Sequence, residues 1–368
     1  MLSKLNLNII FENLTMEISQ KKFLNTLNLL LGPEGTKKLV NFFNVPQKAF
    51  EAKEGELKNL NFQEKTIKNF LQKREKIDPD YEWKKLEKLG VKLITFDERE
   101  YPPLLKEIPN PPVALYLKGS LLPEEKYFAV VGPRYPSDYG KLVAKEIVPE
   151  LSLAFTIVSG LARGIDGLAQ KLALNENQRT VAVLGSGLDI IYPPENKTLA
   201  QKIEQNGALI SEFPLGTPPK AYHFPLRNRI MAGMSLGTLV VEAKKKSGAL
   251  ITALLALEYG REVFAVPGSI FSKTSEGTNF LIKEGAYLTR SASDIFEKFD
   301  LKLWAKKKKE VKFQSEEEKI IFEALKEGAL TVDEIVKKTN LSCDKVTSTL
   351  IMMEIENKVK RSQNKYSL

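Results

Sequence analysis

The chain has 368 residues, 43% of them hydrophobic, with 55 Lys and Arg against 46 Asp and Glu for a formal charge of +9, a length that suits two or three domains with sizeable cores. One cysteine, Cys343, excludes an intramolecular disulfide and a Cys-cluster metal site, and one histidine, His223, removes most metalloenzyme and His-relay chemistry. No run approaches the roughly 18 apolar residues of a membrane span. The opening MLSKLNLNIIFENL mixes Asn and Glu into its apolar residues and lacks a small-residue cleavage site, so a cytoplasmic protein without a membrane partner is expected.

Residues 1–76 read as an N-terminal helical module. LNTLNLLLGPEGTKKLVNFFN predicts a helix, a Gly-Pro-Glu-Gly hairpin and a second helix, and two more helices follow around residues 46–52 and 63–74. The layout is SAM-like or helix-hairpin-helix-like. Turn amides of the latter can hold a DNA phosphate, although ordinary helical packing explains the pattern as well. From residue 77, VKLITF and VALYLKG predict strands, while YPPLLKEIPNPPVA is too proline-rich for a helix.

Six short apolar runs then begin at Phe128, Phe155, Thr180, Gly207, Leu236 and Arg261: FAVVG, FTIVSG, TVAVLGSG, GALISEFP, LGTLVVEA and REVFAVPG. Their spacing is that of strand–helix units, and their lack of polar alternation is that of strands covered on both faces. An α/β domain over residues 77–300 is therefore expected, with a doubly wound, mainly parallel sheet and its ligand at the carboxyl ends of the strands.

The loops at those ends carry the candidate site. VVGPRYPSDYG brings Gly132, where backbone can approach a ligand, and Arg134, placed to pair with phosphate. VSGLARGIDGLA brings Ser159, Gly160 and Arg163 before a helix start, with Asp166 as a cap or hydrogen-bond acceptor. LGSGLDIIYPPEN adds a Gly-Ser-Gly turn and Tyr192. FPLRNRIMAG sets Phe224, Arg227, Asn228 and Arg229 at a helix opening. The phenylalanine is suited to stacking a base, and the arginines to forking phosphates. A core role for Phe224, and a buried pair of one arginine with Glu212 or Glu242, are the structural alternatives. KSGALIT supplies Lys246, Ser247 and Gly248 at another helix start. Positive charge concentrates here, in Lys220, Arg227, Arg229 and Lys244 to Lys246 against Glu212 and Glu242, whereas residues 91–301 as a whole are only +1. A focused patch suits a polyanion crossing a groove. His223, in a proline-rich loop, is expected to pack or face solvent rather than serve a Ser-His-Asp triad.

Residues 301–312, LKLWAKKKKEVK, read as a basic linker, and residues 313–368 as three helices and a hairpin in winged-helix order, with Thr331 and Ser342 as N-caps. Counted with Lys312 that module is neutral overall, and its would-be recognition helix sets one lysine against Asp344, Glu354 and Glu356. Protein interaction is favoured there over DNA reading.

Read together, VSGLARGID, VLGSGLDIIYPPEN, ISEFPLG, FPLRNRI, SLGTLVVEA, KSGALIT and REVFAVPGSI make the chain resemble the DprA/Smf family of bacterial DNA-processing proteins. The likeness is dense over residues 80–290 and looser in the two flanking modules. It implies an extended Rossmann-like fold that binds single-stranded DNA without strong sequence preference. It also implies a homodimer that loads RecA recombinase and displaces single-strand-binding protein in natural transformation, without a cofactor or catalysis. Carried onto this sequence, the DNA contacts would be Gly132, Arg134, Ser159, Gly160, Phe224, Arg227, Arg229 and Lys246. Pro133 and Gln170 depart from the family pattern, and Lys220 is out of register with some relatives. The absence of a metal cluster, a plausible triad and a P-loop motif agrees with a non-enzymatic role. A second reading comes from SLGTLVVEA, which is similar to the G-G-x-G-T-x-x-E segment of LOG-type nucleoside-monophosphate phosphoribohydrolases. Arg229 and Glu242 would then be the working pair, although Ser235 and Leu236 depart from that motif.

Overall fold

Every one of the six apolar runs forms a strand of one nine-stranded sheet. In the computed structural model, which describes residues 16–301, 313–326, 328–356, 358–362 and 364–367, the strands are β1 (Lys92–Thr95), β2 (Ala114–Gly119), β3 (Tyr127–Val131), β4 (Thr156–Ser159), β5 (Thr180–Leu184), β6 (Ala208–Ser211), β7 (Gly237–Val240), β8 (Glu262–Ala265) and β9 (Tyr287–Leu288). Their order is β1-β2-β6-β5-β4-β3-β7-β8-β9. The strands from β6 to β9 pair in parallel, while β1 and β2 extend the β6 edge antiparallel. The chain therefore winds outward from β3 to β6, then returns to the far side of β3 to lay down β7. This reversal is the topological switch point, where the loops after neighbouring strands diverge and leave a crevice. Both faces are covered, as the unbroken burial of β3, β4, β5, β6 and β7 requires.

The amino-terminal helices are α1 (Ile18–Phe43), α2 (Pro46–Glu51), α3 (Glu54–Lys58), α4 (Glu64–Arg74) and α5 (Pro79–Lys88). The expected hairpin is a break within α1, where Gly32 turns to φ 70° and Pro33 reopens the helix. The segment does not fold as a separate body. Leu24, Leu27 and Leu39 share one core with Tyr116, Ala182, Leu184 and Leu209 of the sheet, and these helices and the sheet fall in one compact unit. Polar bonds reinforce the seam: Tyr116 Oη donates to Asn25 Oδ1 at 2.8 Å, and Asn28 Nδ2 to the Glu212 carbonyl at 3.0 Å.

The remaining helices of this unit are α6 (Pro103–Lys106), α7 (Asp138–Ala154), α8 (Ile165–Asn175), α9 (Lys197–Asn206), α10 (His223–Met234), α11 (Gly248–Glu258), α12 (Glu276–Lys283) and α13 (Ala292–Lys298). α6 is a single turn inside the segment expected to be helix-free; Pro102 and Pro103 stand at its N-cap and first position, where proline lacks only an amide with no helical partner.

The second unit holds α14 (Glu316–Leu325), α15 (Val332–Thr339), α16 (Cys343–Ile355) and the two-stranded wing β10 (Lys360–Ser362) and β11 (Lys365–Ser367). Ile321, Ile335, Val346, Leu350, Met353 and Tyr366 form its core. Thr331 caps α15 in a capping box with Glu334, whereas Ser342 occupies the cap position of α16 without a side-chain bond. The outer face of α16 presents Ile351, Met352 and Ile355 to solvent. Residues 302–312, nearly all of the expected basic linker, lie outside the described residues. No helix among the described residues is long and apolar enough to cross a membrane.

Candidate nucleic-acid interface

A cleft of about 360 Å³ opens at the switch point. Gly132, Pro133, Arg134 and Tyr135 wall it from the loop after β3, Phe224, Arg227 and Asn228 from α10, and Ser247, Gly248 and Thr252 from the start of α11. These segments hold one another by specific bonds. Glu242, at the end of β7, is buried and accepts from the Ser137 amide at 2.9 Å, the Ser137 hydroxyl at 2.5 Å and the Thr274 hydroxyl at 2.8 Å. Its carboxylate also sits at the amino terminus of α7, where negative charge is favoured. Glu242 therefore fixes the loop that carries Arg134, and it is not the arginine partner expected from sequence. Gly164, at φ 75°, packs under the same loop; a Cβ there would lie 2.2 Å from the Pro133 carbonyl.

Phe224 is half-buried, with two guanidinium groups near its ring, Arg134 at 5.3 Å and Arg227 at 6.0 Å from the ring centre. Tyr192 leans on it at 5.9 Å. Arg134 is exposed on the cleft wall, whereas Arg227 is only 4% exposed and forms its floor. The Nη1 of Arg227 donates to the Gly160 carbonyl at 2.7 Å and to the Val183 carbonyl, and its Nε donates to Asn228 Oδ1 at 3.1 Å. Burial pushes its pKa down to about 10, against the pull of Asp166, so it stays charged at neutral pH. Asp166 is buried behind it, raised by desolvation, and accepts from the Gly160 amide at 3.2 Å. It is the expected hydrogen-bond acceptor. The cleft therefore has a fixed cationic floor, an aromatic ring and a mobile-length cation on its wall, facing the amino terminus of α11.

Several expected contacts stand elsewhere. Ser159 is fully buried, its hydroxyl donating to the Val130 carbonyl at 2.7 Å, so it ties β4 to β3 instead of meeting a ligand. Gly160 is also buried, and a Cβ there would lie 2.1 Å from Arg227 Nη1; it makes room for the cation rather than for DNA. Asn228 is buried and donates to the Gly248 carbonyl at 3.3 Å, pinning α10 to α11. Arg163 is exposed but paired with Glu195, which raises its pKa further. Arg229 is the clearest correction. It is 6% exposed and forks onto both oxygens of Glu212 at 2.5 Å, while its Nη1 donates to the Asn110 carbonyl at 2.7 Å. That is the buried pair held open as the alternative. Lys246 is exposed and lines a second groove with Lys245, Ile251 and Leu254, while the lysine lining the switch-point cleft is Lys244. Ser247 caps α11 through the Leu250 amide, and Gly248 is exposed beside it.

Sequence reasoning passed over Tyr135, 79% exposed next to Arg134, and the contact of Tyr192 with Phe224. Aromatic residues beside a strand-tip arginine and glycine loop were the available signal. His223 is buried, its ring stacked on Phe213 at 4.1 Å and its Nδ1 3.0 Å from the Gly185 carbonyl; it belongs to the loop packing, as one of the two expected outcomes had it.

Residues 92–300 match the family model for DNA recombination-mediator protein A, and residues 308–365 match the DprA winged helix domain. Protein Smf of Synechocystis is 40% identical over 272 residues, covering 72% of this chain and 68% of its own length. The DNA processing protein DprA of Bacillus subtilis is 45% identical over 211 residues, 56% of this chain and 71% of that one. Among solved structures, DprA from Streptococcus pneumoniae aligns with TM-score 0.67 at 36% identity, over 77% of this chain and 98% of its own. DprA from Helicobacter pylori, in a structure concerned with its single-stranded DNA binding mode, aligns with TM-score 0.52 at 30% identity over 57% and 95%. With the family model spanning more than half of its length, the chain belongs to the DNA recombination-mediator protein A family, the DprA/Smf DNA-processing proteins.

Proposed function

We propose that this protein binds single-stranded DNA without sequence preference in the switch-point cleft, as a recombination mediator and not as an enzyme. The observation that carries the reading is the clustering of Phe224 with Arg134 and Arg227 in one cleft. A ring at the mouth of a cationic cleft can stack any base, while the guanidinium groups and the amino terminus of α11 attract phosphate. Arg134 and Lys246 act as the solvent-facing phosphate contacts, Phe224 as the stacking platform and Arg227 as a fixed charge behind it. Family membership and the Helicobacter pylori structure support the choice of ligand.

By the same reading the protein loads RecA recombinase onto the strand, displaces single-strand-binding protein during natural transformation, and works as a homodimer. Ile251, Leu254 and Phe280, exposed beside Lys246, are the candidate dimer surface. A phosphoribohydrolase role is not favoured. The arginine and glutamate it needs are engaged separately, Arg229 by Glu212 and Glu242 by Ser137 and Thr274.

Titration with labelled oligothymidylate and with duplex of equal length, at two salt concentrations, tests the proposal. A strong single-strand preference, a steep salt slope and no ribose release from AMP are expected. Equal affinity for duplex, or AMP hydrolysis, overturns it.

A further inference from the structure

Away from the switch point, a cleft of about 700 Å³ lies between the amino-terminal helices and the loops after β5 and β6. Lys73, Lys76, Lys85 and Lys88 line it together with the carboxylates Glu82 and Asp189. Glu82 is paired with Lys85 at 2.7 Å, and Asp189 accepts from the Gly216 amide at 3.0 Å. Lys73, Lys76 and Lys88 are exposed, and none of them has a carboxylate partner among the described residues. Lysines in the last turns of α4 and α5 are partly explained by the helix dipole. That account covers neither Lys76, which lies beyond α4, nor the convergence of two helix ends on one cleft. Leu29, Leu30, Ile77 and Leu215 give the cleft an apolar wall.

The loop after β5 joins this cleft to the first. At one end Gly185 and Tyr192 touch the Phe224 ring, and Asp189 between them lines the lysine cleft. From β3 to β6 the sheet edge runs three strand spacings, about 14 Å. Cationic rims on an apolar wall, continuous with a stacking site, fit the phosphates and base faces of one unpaired strand. We propose that the lysine cleft is a second segment of the single-strand path, taking the phosphates of a strand already held at Phe224. The inference rests on the reading of the switch-point cleft as the primary site.

The full chain carrying Lys73→Glu, Lys76→Glu and Lys88→Glu, with the Gln triple variant alongside it, should be titrated with oligothymidylates of about 6 and about 20 nucleotides. Both variants should bind the short probe as the wild type does and the long probe roughly tenfold more weakly. Their salt slope on the long probe should be about 2 units shallower, at about 0.7 per lost phosphate contact. Thermal melting identical to wild type in the Gln variant separates this from misfolding. An unchanged long-probe affinity and slope overturns the inference, as does equal weakening at both lengths. A wild type that binds neither probe sinks the primary reading along with it.

Discussion

Arg134, in the loop after β3, and Arg229, in helix α10, are both cations near the carboxyl edge of the sheet, yet they do opposite things. Around Arg229 a carboxylate and a carbonyl engage both terminal nitrogens, and through Glu212, whose carbonyl accepts from Asn28 of α1, the cation becomes part of the seam between the amino-terminal helices and the sheet. Arg134 stays exposed, its guanidinium 5.3 Å from the centre of the Phe224 ring. The lesson is that an arginine near the strand ends serves a ligand only where the protein leaves its fork unfilled. Arg227 is intermediate, with part of its fork held by carbonyls and its charge placed under the cleft.

The strongest way to break this contrast is Arg229→Ala. It strands the Glu212 carboxylate in the interior and should destabilise the fold by about 3–5 kcal/mol in denaturant unfolding, with DNA affinity of the folded fraction unchanged. Arg134→Ala should do the reverse, staying within about 0.5 kcal/mol of wild-type stability while weakening binding to all sequences alike. A stable Arg229→Ala protein that lost DNA binding would erase the distinction. Phe224→Ala comes next, with about 1–3 kcal/mol of binding free energy lost for single strands of any composition. Lys246→Ala should be milder still, its signature a salt slope reduced by about 0.7.

The smallest effect belongs to His223. Burial, with Lys220 nearby, holds its imidazole below its ordinary value despite the Gly185 carbonyl. The folded protein thus takes up this proton less readily than the unfolded chain. Its contribution to stability is complete above about pH 6.5 and is lost as pH falls from there through the lower folded-state value. As the sole histidine, it gives one proton-NMR titration, whose midpoint should fall below 6.5.

Six of the seven parallel strands and the loops bearing the cleft were legible, because apolar runs of that length, separated by helix-length intervals, have one economical arrangement. The short edge strand β9 was not; two residues leave no periodicity to read. Nor was the merger of the amino-terminal helices with the sheet. An amphipathic helix announces an apolar face but not the surface that covers it, here Tyr116 and Leu209. The same ignorance of neighbours explains Arg227, Asn228 and Arg229. FPLRNRIMAG reads as an exposed polar opening, but α11, α6 and the sheet enclose α10, so every residue from Arg227 to Met234 is buried. Three polar residues in such a helix must find internal partners, and Gly160, Glu212 and Gly248 supply them.

Photo-crosslinking of bound oligothymidylate, followed by mass spectrometry of the attached peptides, examines the central claim most directly. Adducts on residues 132–135 and 222–231, Phe224 and Tyr135 foremost, are the predicted result. Adducts confined to the winged-helix unit, with those two segments unmodified at saturating DNA, would contradict it.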